Sequence, residues 1–231
     1  MHKRYWVIAL SSLALLAVLG TARPLLRRQT PNEAWQGALT DPAFLPDNRK
    51  RDAEYRTKLV LAAIDARPGE KIADIGAGGG YFTFKLSRLV GNQGMVIATD
   101  CDPKALEYLR GYTRSKGFRN VVVRAVEVWD PGLDTPVDKV LMADLYSFRQ
   151  AGETRDYFTR LHRTLAPGSK VVVFQSHSGV SSSKGWFGSI LTGEEMVASV
   201  KGLFAVEKDR RFARAPSGLD WDAYLIVLKR I

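Results

Sequence analysis

Cysteine is almost missing from this chain. Cys101 is the single one, so no internal disulfide can form. Histidine is nearly as scarce: His2, His162 and His177 lie far apart with no cysteine beside them, which excludes a zinc site of familiar spacing. No internal repeat is visible. Acidic residues are missing from the first 30 positions, which carry five basic ones, Lys3, Arg4, Arg23, Arg27 and Arg28. The rest of the chain holds 29 basic against 24 acidic side chains, within a formal net charge of +10. So mild an excess is expected to be a solvated surface, and nucleic acid is not an expected partner. With 231 residues, 45% of them hydrophobic, the chain is long enough for one buried core plus extra segments.

What the N-terminus does have is a long uncharged run. His2, Lys3 and Arg4 precede Tyr5–Ala22, which is rich in leucine and alanine. Its roughly 18 residues just reach the length of a membrane-spanning helix. The run also fits a signal peptide, with a basic start, an apolar middle and the small residues Gly20 and Ala22 near a cut. Arg23, Arg27 and Arg28 follow at once, and positive charge beside a span tends to stay in the cytoplasm. Residues 1–22 are therefore expected to be a membrane anchor or a signal peptide. An anchor leaves the body in the cytoplasm; cleavage would export it. Residues 23–50 read as a linker, because Pro24, Pro31, Pro42 and Pro46 interrupt any helical period.

From about residue 51 to Ile231 the pattern alternates. Tyr55, Leu59, Ala62 and Ala63 recur at helical spacing and stop before Pro68-Gly69. Strands are expected at Lys71–Ile75, Met95–Thr99, Val121–Arg124, Lys139–Ala143 and Lys170–Phe174. Helices are expected at Tyr81–Leu89, from Asp102-Pro103 to about Ser115, and at Glu153–Leu165. Asp102-Pro103 combines an N-cap side chain with a proline at the first helical position. Thr192 with Glu195 forms a capping box for a further helix. Phe204–Lys208 and Tyr224–Leu228 are joined too briefly for a helical crossover, so an antiparallel pair is expected. Strands alternating with helices imply an α/β fold, a mostly parallel sheet covered on both faces. Ligands then sit at the carboxyl ends of the strands, where strand order reverses.

At one such end stands Asp74-Ile75-Gly76-Ala77-Gly78-Gly79-Gly80, between a strand and a helix. Glycines there let the backbone turn sharply and approach a ligand, and the following helix start offers unpaired N–H groups. A dinucleotide fingerprint would need G-x-G-x-x-G, but the last position is Tyr81 or Thr83 in either count. The pattern is D-x-G-x-G-x-G. Asp100 ends the second strand, 24 residues after Gly76, where an acid accepts hydrogen bonds from ribose hydroxyls.

The stretch IADIGAGGGYFTFKLSRLVGNQGMVIATDCDP resembles motif I and the acidic loop of class I S-adenosylmethionine-dependent methyltransferases. DKVLMADLYSF resembles their fourth-strand motif, and LHRTLAPGSKVVVF the helix and fifth strand. The resemblance runs from roughly Arg51 to Ile231. It implies a doubly wound, Rossmann-like sheet of seven strands, the last antiparallel, with S-adenosylmethionine as cofactor. Gly76, Ala77, Gly78 and Gly80 would lie against the methionine portion, and Asp100 would hold the ribose. Glu127, with Asp130 second, would meet the adenine. Asp74 either contacts the cofactor or braces the glycine loop, Cys101 fills space near the adenosine, and Asp144 closes the fourth strand.

Methyl transfer from a sulfonium is an in-line displacement with a neutral leaving group, so alignment dominates. A general base matters only for a protonated acceptor. Candidates around the acceptor are Asp144, Tyr146 and His177. A membrane-linked branch of the family carries Tyr-His-His after the fourth strand, where this chain has Tyr146-Ser147-Phe148. The serine- and glycine-rich loop from Ser176 to Ser189, with Lys184, Trp186 and Phe187, is expected to act as a lid. A small molecule, a quinone-like lipid or a protein side chain all suit as acceptor, and the apolar N-terminus favours a lipid-soluble one. The alternatives are a degenerate domain serving as an interaction module, or a nucleotide-dependent oxidoreductase, for which no Tyr-x-x-x-Lys set is present.

Overall fold

The computed structural model describes Asp52 and residues 56–145, 151–176, 179–180, 189–212 and 223–231. The expected anchor and linker, Tyr146, His177 and residues 181–188 of the expected lid lie outside the described residues. Among the described residues no helix is long and apolar enough to cross a membrane.

The elements in chain order are α1 (Thr57–Ile64), β1 (Lys71–Ile75), α2 (Thr83–Val90), β2 (Met95–Asp100), α3 (Pro103–Ser115) and β3 (Val121–Ala125). There follow β4 (Lys139–Ala143), α4 (Ala151–Thr164), β5 (Lys170–Gln175), the short β6 (Gly179–Val180) and β7 (Ser189–Ile190), α5 (Gly193–Val200), β8 (Phe204–Phe212) and β9 (Ala223–Arg230). Seven strands form one sheet in the order β3-β2-β1-β4-β5-β9-β8. β9 runs antiparallel to both its neighbours, and every other pairing in that sheet is parallel. The fold is thus the expected doubly wound α/β sheet with an antiparallel last strand, inserted between β5 and β8.

Burial explains which residues became strands. β1, β2, β4 and β5 are central, covered on both faces, and read as continuous apolar runs. Ala73, Ile75, Val140, Met142, Val171 and Val173 face one helical layer with Tyr157, Phe158 and Met196. Ile72, Leu141, Val172 and Phe174 face the other, with Val60, Ile64 and Leu86. Both predicted caps form: Asp102 accepts the Lys104 N–H at 2.9 Å, and Thr192 and Glu195 make the reciprocal box.

Most boundaries that differ from the sequence expectation do so by one or two residues, and β8 by four. α2 starts at Thr83, because Tyr81 and Phe82 belong to the turn that closes the glycine loop. β8 runs on past Lys208 to Phe212, although Ala205–Arg211 are exposed. Its charged stretch has no apolar period; ladder pairing with β9 alone makes it a strand.

A buried cation ties the amino-terminal side of this layer together. Lys139, at the start of β4, is buried. Its Nζ donates to Glu70 Oε2 at 2.8 Å and to the Asp65 carbonyl, which closes α1. Replacing the cation by an apolar side chain takes this donor from that carbonyl and leaves Glu70 Oε2 with the Arg67 N–H. Lys139→Met is expected to lower stability by about 1–3 kcal/mol, measured by urea unfolding at neutral pH.

Candidate active site

Strand order reverses between β1 and β4, so the crevice opens outside the carboxyl ends of these strands. Gly76 follows β1, Asp100 ends β2, Asp144 follows β4 and Gln175 ends β5. Parallel register places Ile75 beside Thr99 and beside Met142, so the strand ends lie level.

The glycine turn is clamped to β2. Gly76 and Ala77 both donate their N–H to the Thr99 carbonyl, at 2.9 and 3.0 Å. Its glycines then serve different ends. At Gly80, with φ of 90°, an added Cβ would strike Phe84 and come within 2.6 Å of Leu109, so this glycine lets α2 and α3 pack. At Gly76 a Cβ would strike Leu145. At Gly78, with φ of 52°, nothing lies within 4 Å of the Cβ position. Ala77 is buried with Phe84, Ala98 and Leu109. Of the predicted loop contacts, Gly78 is the one whose α-carbon faces open space.

Two acids flank this turn. Asp100 Oδ2 accepts the Gly78 N–H at 2.7 Å, and its Oδ1 accepts the Asp102 N–H at 2.9 Å. A carboxylate has about four acceptor positions, so these bonds leave acceptor capacity free. Burial raises its carboxyl above the usual range, against the lowering effect of the Asp102, Gly78 and Cys101 amides. Asp74 is fully buried on the other side of the turn and accepts the Thr83 hydroxyl at 2.5 Å. Burial, with the neighbouring Asp100 charge, pushes its carboxyl up to about 7. Asp74 is thus bonded to the first residue of α2.

The remaining predicted residues spread along the rim. Cys101 is exposed. Glu127 and Asp130 are exposed in the turn after β3, where Asp130 donates its N–H to the Glu127 carbonyl and its carboxylate accepts the Gly132 N–H. Asp144 is buried in a left-handed conformation, φ 53°, unusual for a residue with a side chain. Its carboxylate accepts the Ser176 N–H at 2.6 Å, the Ser176 hydroxyl at 2.7 Å and Gln175 Nε2 at 3.2 Å. That set ties β4 to β5. Sequence reasoning missed Thr83, Gln175 and Ser176, which lie far from their acids along the chain. It also missed Tyr224, which sits opposite Gln175 in the β5–β9 ladder. The Tyr224 hydroxyl is buried and, among the described residues, has no hydrogen-bond partner. Its only sequence signal was an aromatic at a strand terminus.

A family model described as "Methyltransferase domain" matches residues 66–205, more than half of the chain. The chain belongs to this methyltransferase domain family. Protein-L-isoaspartate O-methyltransferase of Aeropyrum pernix is 32% identical over 114 residues, 49% of this chain and 42% of that protein. The ubiquinone/menaquinone biosynthesis C-methyltransferase UbiE of Shewanella baltica is 33% identical over 120 residues, 51% of this chain and 47% of that protein. The chain thus spans under half the length of these curated relatives. The N-methyltransferase NodS of Bradyrhizobium japonicum WM9, solved with S-adenosyl-L-homocysteine, shares the fold. It aligns at a TM-score of 0.67 and 17% identity, covering 87% of this chain and 98% of that one. The methyltransferase residues on the crevice fit S-adenosylmethionine. Gly78 leaves space for close approach among the described residues, and Asp100 keeps acceptor capacity for hydroxyls. When bound, that cofactor supplies a methyl group on a sulfonium.

The division among the glycines is testable. Gly80→Ala is expected to destabilise the methyltransferase domain by roughly 2 kcal/mol or more, from overpacking and backbone strain. Gly78→Ala should cost about 1 kcal/mol, since only its left-handed backbone opposes it. Thermal unfolding of the two variants compares them.

Asp74 makes stability depend on pH. Its folded-state carboxyl, near 7, lies above its ordinary value of 3.8. The contribution is therefore fully present below about pH 4 and lost as pH rises through 7. Melting temperatures of the cofactor-free protein should fall between about pH 4 and 7 and level off above, and Asp74→Asn should flatten that fall.

Proposed function

We propose that this chain is an S-adenosylmethionine-dependent methyltransferase whose acceptor is a small or lipid-soluble molecule. The observation that carries the reading is the open α-carbon of Gly78 beside Asp100 at the strand-order reversal. The carboxylate takes the ribose hydroxyls and the glycine turn takes the methionine portion. Glu127 and Asp130 stand toward the adenine side, after β3. The acceptor approaches from the ends of β4, β5 and β9, where Asp144 and Tyr224 stand. The chain's part in the reaction is to hold donor and acceptor in line. Tyr146 and His177, the other acceptor-side candidates of the sequence, lie outside the described residues.

Two observations support a lipid-soluble acceptor. The uncharged run Tyr5–Ala22 suits a membrane anchor with the body on its cytoplasmic side. The UbiE relative, aligned over about half of this chain, is named for ubiquinone and menaquinone biosynthesis. Labelled S-adenosylmethionine incubated with the protein and membrane extracts should place label in the lipid fraction. Label confined to protein or to water-soluble compounds would overturn that acceptor class. Fractionation of cells tests the anchor, which a wholly soluble full-length protein would exclude.

Hydrogen bonds to a charged acceptor contribute about 1.5–3 kcal/mol each. Asp100→Ala is therefore expected to weaken S-adenosylmethionine binding by about ten- to a hundredfold in calorimetry. Equal binding by a folded Asp100→Ala protein would remove Asp100 from the ribose site. No binding by the unaltered protein at millimolar cofactor would overturn the methyltransferase reading.

A further inference from the structure

Residues 103–120 hold five cations, Lys104, Arg110, Arg114, Lys116 and Arg119, against one acid, Glu107. Residues 121–144, which follow, hold two cations against five acids, so the excess is local. All five cations are exposed on α3 and the turn after it. Arg88 of α2 is exposed beside that turn, its guanidinium 5.6 Å from the Phe118 ring. Among the described residues none of these six makes an ion pair, whereas Arg67, Arg124, Lys139, Arg211 and Lys229 do. The helix dipole favours cations at its end, which accounts for Arg114 and Lys116. It does not account for Arg110, four residues before Arg114 on the same helix face, where a like charge is unfavourable.

Half-buried rings lie among these charges. Tyr112 and Phe118 pack on Phe84, at 4.6 and 4.7 Å between centroids, and Tyr108 stacks on Tyr112 at 6.1 Å. Lys116 Nζ stands 5.7 Å over the Tyr112 ring. The rings are thus engaged with one another and with the chain's own cations, unlike the free ring faces on which nucleic-acid bases stack. Cations with amphipathic rings between them suit the headgroup layer of an anionic membrane. Gly111, in the middle of α3, has nothing within 4 Å of its Cβ position, so no packing in the domain calls for a glycine there. A mid-helix glycine weakens the helix, but it lets a surface come close to the backbone.

We propose that α3, with the turn that follows it and Arg88, is a docking face for the phosphate headgroups of an anionic lipid surface. The choice of lipid rests on the anchor reading of the preceding section, in which the uncharged run Tyr5–Ala22 holds the chain at a membrane. The face begins beside the crevice, since Asp102, the N-cap of α3, donates its N–H to Asp100 at the end of β2. Docking through α3 therefore keeps that rim of the crevice near the lipid, where a lipid-soluble acceptor is dissolved.

Flotation of the full chain with vesicles tests this, using phosphatidylcholine alone or mixed with phosphatidylglycerol. A solvent-sensitive fluorophore on Gly111→Cys, in a Cys101→Ser background, reports contact of the face itself. One on Glu207→Cys, in β8 at the opposite edge of the sheet, is the control. At low salt the label at 111 should shift to the blue with mixed vesicles and stay unchanged with neutral ones. High salt should reduce the shift, and the label at 207 should not respond. Each basic residue near an anionic surface strengthens binding about fivefold. Arg110→Gln, Arg114→Gln, Lys116→Gln and Arg119→Gln together should therefore weaken the phosphatidylglycerol-dependent binding by about a hundredfold or more, with circular dichroism unchanged. If that variant does not fold, Arg119→Gln alone, beyond the end of α3, should weaken it about fivefold. An equal shift with neutral vesicles, no shift with mixed ones, or full binding by the folded fourfold variant overturns the proposal. Tighter binding to single-stranded RNA than to mixed vesicles overturns the choice of lipid. Flotation with both vesicle types and a silent label at 111 keeps the anchor and removes the face. Flotation with mixed vesicles alone, with the label shifted, keeps the face and removes the anchor.

Discussion

The amide of Gly78 donates to the Asp100 carboxylate, and the shape of the crevice depends on that bond. It joins the turn after β1 to the end of β2. The other oxygen of the same carboxylate takes the Asp102 amide, at the start of α3. One side chain thus sets the spacing between a glycine turn and a helix start. A glycine is required at 78 because the bond holds its backbone in a left-handed conformation. The carboxylate is held from behind by amides and keeps acceptor capacity in front. A ligand offering hydroxyls meets a group already in place, which lowers the ordering cost of binding.

The three acids of the crevice, Asp74 and Asp144 buried and Asp100 half-buried, are satisfied in different ways. Asp144 is surrounded by donors from Ser176 and Gln175, so it is a joint between β4 and β5. Asp100 is half satisfied by amides. Asp74 has one hydroxyl and one amide, both from Thr83, and a like charge nearby.

The crevice beyond β4 is built differently. Among the described residues the Tyr224 hydroxyl, at the start of β9, is buried without a partner, among apolar residues of the layer that includes Tyr157 and Met196. A buried hydroxyl without a partner carries a desolvation cost. Such costs are commonly tolerated where a ligand or water completes the set. The side of the crevice beyond β4 is thus less complete in itself than the cofactor side.

The sequence alone determined the alternation of elements, most strand limits, both helix caps, the antiparallel end of the sheet and the position of the glycine turn. These are local properties. A β1 strand buried on both faces must be a continuous apolar run, and Asp102-Pro103 or Thr192 with Glu195 can cap a helix without help from elsewhere. Only the tertiary structure decided that Gly80 packs helices while Gly78 faces open space among the described residues, because Phe84 on α2 and Leu109 on α3 meet the one and not the other. It alone made Ala205–Arg211 a strand, since that charged edge takes its conformation from β9. It alone showed Asp74 turned onto Thr83 and Tyr224 left unpaired, because a partner's distance along the chain says nothing of its distance in space.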